Sequence, residues 1–327
     1  MTYNLICDFC ENFESKTDIG HVNDHQPKKT FEDINFAINH LGYSCKIFGG
    51  VTELTHAYET RVSFSPDDIF INLSDGGDSP YSRAQIPMLC DLLHLKYSGS
   101  GVFEVALASN KYYSSLAVRN YGLRTPQNML IVSPSQIKNV WEKKSIIKPN
   151  SEGSSIGITD ASVQSTYDCI IEQTQLMLNK FPEILVEEYI EGYDVTCFVI
   201  GNEEILLNEV LCIEHHDKLI FDNEVMGYKE HICGTRHFLP ASSILPKHVE
   251  REVKDTSVKI KNNLHIFDMC RIDYRIDKDF NIFFLEINTV PAICMESQVG
   301  IICKHLNIGF EQFLDKLIVT ITKRLQS

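Results

Sequence analysis

Near the C-terminal end, two stretches alternate ionic and apolar residues with the two-residue period of a β-strand. They read Arg271-Ile272-Asp273-Tyr274 and Leu285-Glu286-Ile287-Asn288, and a polar turn over residues 277–281 lies between them. This pattern constrains the fold more than any other. Arg271 and Asp273 share one strand face, and so do Glu286 and Asn288, while the apolar neighbours pack the other way. Across an antiparallel hairpin the two polar faces can coincide, which gathers two carboxylates, an amide and a guanidinium on one surface. Two carboxylates in one small site resist joint ionisation. A hard cation removes that cost. An all-oxygen set suits Mg²⁺, which takes few protein ligands and completes its shell with phosphate and water. The residues alone leave open a plain salt bridge of Arg271 with Asp273 or Glu286.

Upstream, strand and helix patterns alternate. Residues 3–7 form a short apolar strand. Phe31, Ile34, Ala37 and Leu41 recur at helical spacing. Strands are predicted at 45–48 and 69–73. The latter ends in Ser74-Asp75-Gly76-Gly77, a turn at a strand's C-terminal end, where α/β sheets keep their ligands. A helix follows near 83–93. Residues 1–100 thus read as a βαβ-type unit. In residues 101–191 the pattern predicts a helix near 110–121, strands at 128–132, 145–148, 156–158 and 184–188, and a long helix over 163–180. Residues 192–327 hold a hairpin through Gly201-Asn202, a helix face on Val249, Val253, Ser257, Ile260 and Leu264, the C-terminal strand pair, and closing helices near 298–306 and 309–324. The fold class is mixed α/β (α+β), a first βαβ domain followed by two α+β domains, and 327 residues suit two or three such units.

Two further segments carry chemistry. Lys148-Pro149-Asn150-Ser151-Glu152-Gly153-Ser154-Ser155-Ile156-Gly157 places a lysine at a strand end before a small-residue loop. Backbone N–H groups of such a loop can wrap phosphates, and the lysine adds a point charge. A strand-end lysine is expected to be solvent-reachable. The second segment, Leu185-Val186-Glu187-Glu188-Tyr189-Ile190-Glu191-Gly192-Tyr193-Asp194, runs from an apolar strand into a glycine turn. Its backbone could meet an adenine edge and Asp194 a ribose. Taken singly, the two segments also read as a plain turn and an exposed acidic turn.

In this order, Lys-Pro-x-x-Glu-Gly-Ser-Ser-x-Gly, Val-Glu-Glu-Tyr-Ile-Glu-Gly, Arg-x-Asp-Tyr and Leu-Glu-Ile-Asn-Thr-x-Pro resemble the D-alanine–D-alanine ligase branch of the ATP-grasp superfamily, from about residue 68 to the end. The resemblance implies an ATP-grasp fold whose last two domains grip ATP, and a ligase that activates a carboxylate as an acyl phosphate and joins it to an amine. Lys111 and Lys148 would hold the ATP phosphates, with Gly153, Ser154 and Ser155 in the loop above them. Glu187, Glu188, Tyr189 and Ile190 would face the adenine, and Asp194 the ribose. Asp273, Glu286 and Asn288 would bind two Mg²⁺ ions. Arg271, Lys229 and Ser154 would be catalytic, and Ala292, Ser297 and Gln298 would contact substrate. The partners implied are a small carboxylate and a small amine, and a homodimer fits the same reading.

The sequence departs from that family where substrate is chosen. In place of a glycine-rich loop with a glutamate for the first substrate's amino group stands Asp8-Phe9-Cys10-Glu11-Asn12. Ser74-Asp75-Gly76 replaces a histidine-glycine step, Pro291-Ala292 replaces Pro-Gly, Cys294 takes a usually small hydroxyl position, and Glu230 stands after Lys229 where a tyrosine is usual. These changes point to a carboxylate other than D-alanine, with an amino acid as acceptor. A true D-alanine–D-alanine ligase, a kinase-like enzyme and a non-ligating ATP-binding regulatory protein are the alternatives.

A net charge of −14 argues against nucleic-acid or anionic-membrane partners. No stretch reaches the roughly 18 apolar residues of a membrane span. Residues 1–10 lack a basic signal-peptide start, and eleven cysteines, mostly in apolar segments, suit reduced thiols in the cytoplasm. Cys7, Cys10, His21 and His25 imitate zinc-finger spacing, but the gap between Cys10 and His21 is short for a finger and residues 5–7 read as a strand.

Overall fold

Strand β1 (Tyr3–Ile6), buried at all four residues, lies between β2 (Cys45–Gly49) and β3 (Ile69–Asn72), with β4 (Lys96–Tyr97) beyond β3 and every pairing parallel. Parallel strands need crossovers, here α1 (Lys28–His40), α2 (Val51–Glu59) and α3 (Gln85–Leu92). The computed structural model describes the chain except residues 13–24, 78–80, 154, 223–224 and 226–235, and gives no side chain for Asn139 and Arg236. Phe31, Ile34 and Ala37 lie on the buried face of α1, as their spacing predicts; Ile38 joins them, while Leu41 is the C-cap residue and packs on the core half-buried.

Helices α4 (Val102–Ser109) and α5 (Lys111–Asn120) follow. Asn110 separates them: its backbone is extended, and its Oδ1 accepts from Tyr113 N–H at 2.9 Å as the N-cap of α5. A second, antiparallel sheet has the order β5 (Asn128–Ile131), β8 (Ile184–Glu188), β6 (Ser145–Pro149), β7 (Val163–Gln164), and α6 (Tyr167–Leu178) packs on it through Ile170 and Met177.

The third sheet comprises β9 (Gly192–Gly201), β10 (Ile205–His215), β11 (Ile220–Phe221), β12 (Arg236–Pro240), β13 (Met269–Ile276) and β14 (Ile282–Asn288). Its order is β12-β10-β9-β13-β14, with β11 beside β9. Along β9, Phe198 and Ile200 join a core with α1, α8 (Gln298–Leu306) and α9 (Phe310–Gln326). Val195, Cys197 and Val199 alternate to the other face and meet α7 (Lys247–Asn263). Gly192, at the junction of the second and third sheets, has φ +153°, and a Cβ there would come 1.9 Å from the Ile276 carbonyl oxygen, so only glycine fits.

Two sequence expectations fail. Residues 156–158 are not a strand. Ser155 and Gly157 are left-handed (φ 60° and 76°), and Ile156 and Ile158 N–H close consecutive turns onto Gly153 and Ser155. The helix expected from 163 starts at Tyr167, because Thr166 caps it while Val163 and Gln164 pair with β6. Helices α2 and α4 and the short strands β7, β11 and β12 lacked a clear periodic signal.

Candidate active site

The closing hairpin pairs Arg271 with Asn288 and Asp273 with Glu286, so the two polar faces coincide. Arg271 clasps Asp273 in a forked ion pair, Nε–Oδ1 3.0 Å and Nη2–Oδ2 2.8 Å, and Thr196 Oγ1 donates to Asp273 Oδ1 at 2.6 Å from the next strand. Glu286 does not pair with Arg271. Its Oε2 lies 3.0 Å from Lys111 Nζ, delivered by the first residue of α5. Lys111 also donates to the Glu152 carbonyl, and Asn150 fixes the approach by accepting from Tyr112 N–H at 2.9 Å. Burial works to raise the Glu286 carboxyl, but the Lys111, Arg271 and Lys148 cations outweigh it and hold it at about 2.

Two cavities meet at this cluster. The larger, about 500 Å³, is lined by Arg271, Glu286, Asn288, Ala292, Ser297 and Gln298 of the expected set. The smaller, about 170 Å³, is lined by Lys148, Ser155, Asp194 and Asp273. Lys111, Glu152, Gly153, Arg271 and Glu286 border both. Ser297 caps α8, accepting from Val299 N–H at 3.2 Å while its hydroxyl donates to the Cys294 carbonyl at 2.7 Å. Ser154, Lys229 and Glu230 lie outside the described residues, as does His21 of the cysteine–histidine set.

The hinge strand differs from expectation. Lys148 is only 6% exposed, and its Nζ sits 2.5 Å from Glu187 Oε1, itself 3% exposed. The strand-end lysine is therefore largely enclosed; it points away from the α6 core that holds Ile147, to the sheet face bordering the smaller cavity. Glu187, Glu188, Tyr189 and Ile190 border neither cavity among the described residues. Glu188 reaches Lys143 at 3.4 Å, and the buried Tyr189 ring carries Lys144 Nζ at 4.7 Å and the Arg275 guanidinium at 5.4 Å. Arg275, which sequence reasoning missed, holds Asp194 (Nε–Oδ1 3.1 Å) at the rim of the smaller cavity. Its position two residues beyond Asp273 on the same face was the available signal.

On the N-terminal side, Asp8 accepts from Val51 N–H at 3.2 Å and from the Ser74 hydroxyl. It packs so closely on Gly50 that a Cβ there would lie 1.9 Å from its Oδ1. Burial pushes its carboxyl up against these bonds. Asp8 therefore caps α2 and is not in the cavity wall. Asp75 and Arg83 are, paired at 2.7 Å.

The hairpin set suits a hard cation. Asp273 and Glu286 are direct cross-strand neighbours, and Asn288 follows on the same face. Among the described residues no group of three or more His, Cys, Asp or Glu is placed to hold a metal ion. Two carboxylates and an amide leave most of a Mg²⁺ shell to phosphate and water, as that ion prefers.

A family model described as the D-ala D-ala ligase C-terminus matches residues 118–319. The D-alanine–D-alanine ligase of Aquifex aeolicus is 26% identical over 262 residues, covering 79% of this chain and 83% of that protein. That of Coprothermobacter proteolyticus is 29% identical over 279 residues, covering 82% and 86%. The solved D-alanine–D-alanine ligase of Bacillus anthracis complexed with ATP superposes with a TM-score of 0.71 at 17% identity, over 100% of this chain and 99% of that one. The VanG D-Ala:D-Ser ligase of Enterococcus faecalis gives 0.70 at 18%, over 98% and 99%.

Proposed function

The chain belongs to the D-alanine–D-alanine ligase family of ATP-dependent, amide-forming enzymes, and from that premise we propose that it joins a carboxyl donor other than D-alanine to an amino-acid acceptor. The observation that carries the ligase chemistry is the paired-charge cluster bordering both cavities, Lys111–Glu286 beside Arg271–Asp273, and the turning of Asp8 into the cap of α2 supports the change of donor. A nucleotide in the smaller cavity and a carboxylate in the larger would meet there.

The chemistry follows from charge. A carboxylate is a poor electrophile. Its oxygen attacks the γ-phosphorus of ATP, ADP leaves, and an acyl phosphate forms; the acceptor's amine then attacks the carbonyl and inorganic phosphate departs. Lys111 and Lys148 would lie along the phosphates, with Gly153, Ser154 and Ser155 in the loop beside them and Lys229 as a further cation. Asp273, Glu286 and Asn288 would hold up to two Mg²⁺ ions, which when bound neutralise phosphate charge. Arg271 and the Ala292 N–H would face the oxyanion, where one such donor is worth about 3 kcal/mol. Ser297 and Gln298, at the N-terminus of α8, would receive the acceptor's carboxylate. Asp194 is the ribose candidate, and the 187–190 segment would offer backbone groups to the adenine.

We read residues 1–100, 101–191 and 192–327 as three domains, each built on one of the three sheets. A cytoplasmic enzyme and a homodimer fit the same reading; no described helix is long and apolar enough to cross a membrane.

The test is ADP and phosphate release over paired carboxylates and amines, with mass spectrometry of products. Release that needs a donor and an acceptor together supports ligation. The names of the relatives favour a second reading, a true D-alanine–D-alanine ligase. Full turnover on D-alanine alone would establish that reading instead, and ATP binding without donor-dependent ADP would leave a regulatory protein.

A further inference from the structure

Lys111 and the loop that begins at Asn150 are held together as one unit. Asn150 is fully buried, and its four backbone and amide contacts are all made within the protein. Its N–H donates to the Glu183 carbonyl at 3.1 Å, and its Nδ2 donates to Glu183 Oε2 at 2.8 Å. Its carbonyl accepts from Lys111 N–H at 3.2 Å, and its Oδ1 from Tyr112 N–H at 2.9 Å. One residue thus sets both where the loop leaves β6 and where α5 begins. Lys111 Nζ then reaches back to the Glu152 carbonyl in the same loop.

A single hydroxyl grips this unit from the first domain. Tyr81 Oη accepts from Asn110 Nδ2 at 2.7 Å and donates to Glu183 Oε2 at 3.1 Å. Asn110 is the cap of α5, one residue before Lys111, and Glu183 Oε2 is the oxygen that also holds Asn150. Tyr81 lies between β3 and α3, in the stretch that also carries Asp75 and Arg83 of the larger cavity's wall. Its backbone is left-handed there (φ 63°, ψ 21°), at the start of a single 3-10 turn (Ser82–Ala84) closed by Ala84 N–H on the Tyr81 carbonyl at 2.9 Å. A bulky residue takes that conformation at a cost, and keeps it only where its surroundings hold it. A glycine would form the same turn without strain but has no hydroxyl to reach Asn110 and Glu183. Tyr81 itself lines neither cavity.

We propose that Tyr81 is a positioning residue through which the first domain sets Lys111 and the loop after Asn150 for the phosphates of the nucleotide. The proposal rests on the reading of Lys111 and that loop as phosphate-binding, and adds a residue that acts on them without touching the ligand. A hydrogen bond to a charged group weakens steeply with misplacement, so a small shift of the α5 start costs phosphate contacts. Adenosine, which has no phosphate, does not meet this unit. The signature of the role is therefore a loss confined to phosphate-bearing ligands.

The experiment measures binding of ADP and a non-hydrolysable ATP analogue by calorimetry with Mg²⁺, and of adenosine by ligand-observed NMR at millimolar concentration. Tyr81→Phe keeps the ring and removes only the hydroxyl. It should weaken both phosphate-bearing ligands by roughly 3–30-fold, the range of one to two hydrogen bonds, and leave adenosine within about twofold of the parent. Glu183→Gln, whose single neutral oxygen must serve both Asn150 and Tyr81, should act in the same direction. The double variant should fall short of the product of the two single losses, because both break one bridge. Melting curves establish that each variant is folded at the assay temperature; if Tyr81→Phe is not, Glu183→Gln carries the same comparison. Parental affinity for ADP and the ATP analogue, or an equal loss for adenosine, overturns the proposal: the hydroxyl is then a tie between domains, and the ligase reading stands. A parent that binds neither ADP nor the ATP analogue overturns the nucleotide reading and this role with it.

Discussion

Asp268 and Glu286 are both carboxylates drawn into the protein by cations, and they end in opposite situations. Asp268 is fully buried, in a left-handed conformation (φ 63°), and accepts from Arg324 Nε and Nη2 at 2.8 and 2.6 Å, from Gly99 N–H at 2.7 Å and from Asn202 Nδ2 at 2.9 Å. Arg324 continues to the Tyr97 carbonyl at 3.0 Å, so this node ties the first sheet, the third sheet and α9 together. Lys261 stands behind it, 1% exposed, with burial pulling its pKa below the ordinary lysine value. Glu286 instead keeps a side chain 32% exposed, bordering both cavities, with Lys111 on one Oε. A closed node fixes geometry because its acceptor positions are filled by protein. An open pair holds its charges ready to exchange partners with a ligand.

The sharpest way to break this comparison is Glu286→Gln. If the open cluster is the reacting centre, substrate-dependent ADP formation should fall at least ~1000-fold, about 4 kcal/mol of barrier. Near-parental ADP formation at saturating Mg²⁺ would sink the metal assignment and reduce the cluster to a salt-bridged sheet face.

Lys148→Met tests whether one residue serves both purposes. Its partner Glu187 would be left as a buried, unpaired carboxylate, which costs about 3 kcal/mol or more in unfolding free energy. Adding Glu187→Leu removes the stranded charge and should restore much of that stability while ATP affinity stays low. Denaturant melts with ATP calorimetry on both variants separate the roles, and recovery of ATP binding in the double variant would make the pair purely structural.

Asp268→Asn probes the closed node. It keeps shape and removes the charge that Arg324 answers, so about 2 kcal/mol of stability should go. The KM for ATP should stay parental below the melting range. A large rise in KM with little loss of stability would show that the node reaches the site.

Much of this arrangement was legible in the sequence, because strand periodicity is local. The alternation through Arg271, Asp273, Glu286 and Asn288 requires a shared polar face, and the register delivers it. Partners were less legible. Whether Glu286 meets Arg271 or Lys111 depends on how α5 docks on the hairpin, about 175 residues away in the chain, and no spacing encodes that. Lys148 misled because a lysine at a strand end is ordinarily exposed, whereas here the neighbouring strand supplies Glu187 from the same side. Likewise Asp8 stands at the strand end where a substrate-binding acid is expected, and only the approach of Gly50 and Ser74 reveals its capping role. The strand misassigned at 156–158 is apolar enough, but two left-handed residues fold it into turns.

The smallest effect concerns acid, and here two carboxylates pull in opposite directions. The folded Glu286 value, about 2, lies below its ordinary 4.5, so its ionised form stabilises the protein above 4.5, and that contribution is lost as pH falls from 4.5 through 2. Because a third of the side chain is solvent-facing, screening leaves this on the order of 1–2 kcal/mol. Asp8 behaves inversely. Burial raises its folded value above the ordinary 3.8, so the folded state takes up that proton first and gains stability as pH falls. Unfolding free energy measured by denaturant between pH 6 and 3 should therefore show Glu286→Gln losing part of the parent's acid sensitivity and Asp8→Asn steepening it. If Glu286→Gln leaves the slope untouched, the acid-sensitive charge lies outside this pair. The open pair would then be electrostatically slack in the free protein, and its depressed carboxyl would have to be abandoned as a reason for calling it the reacting centre.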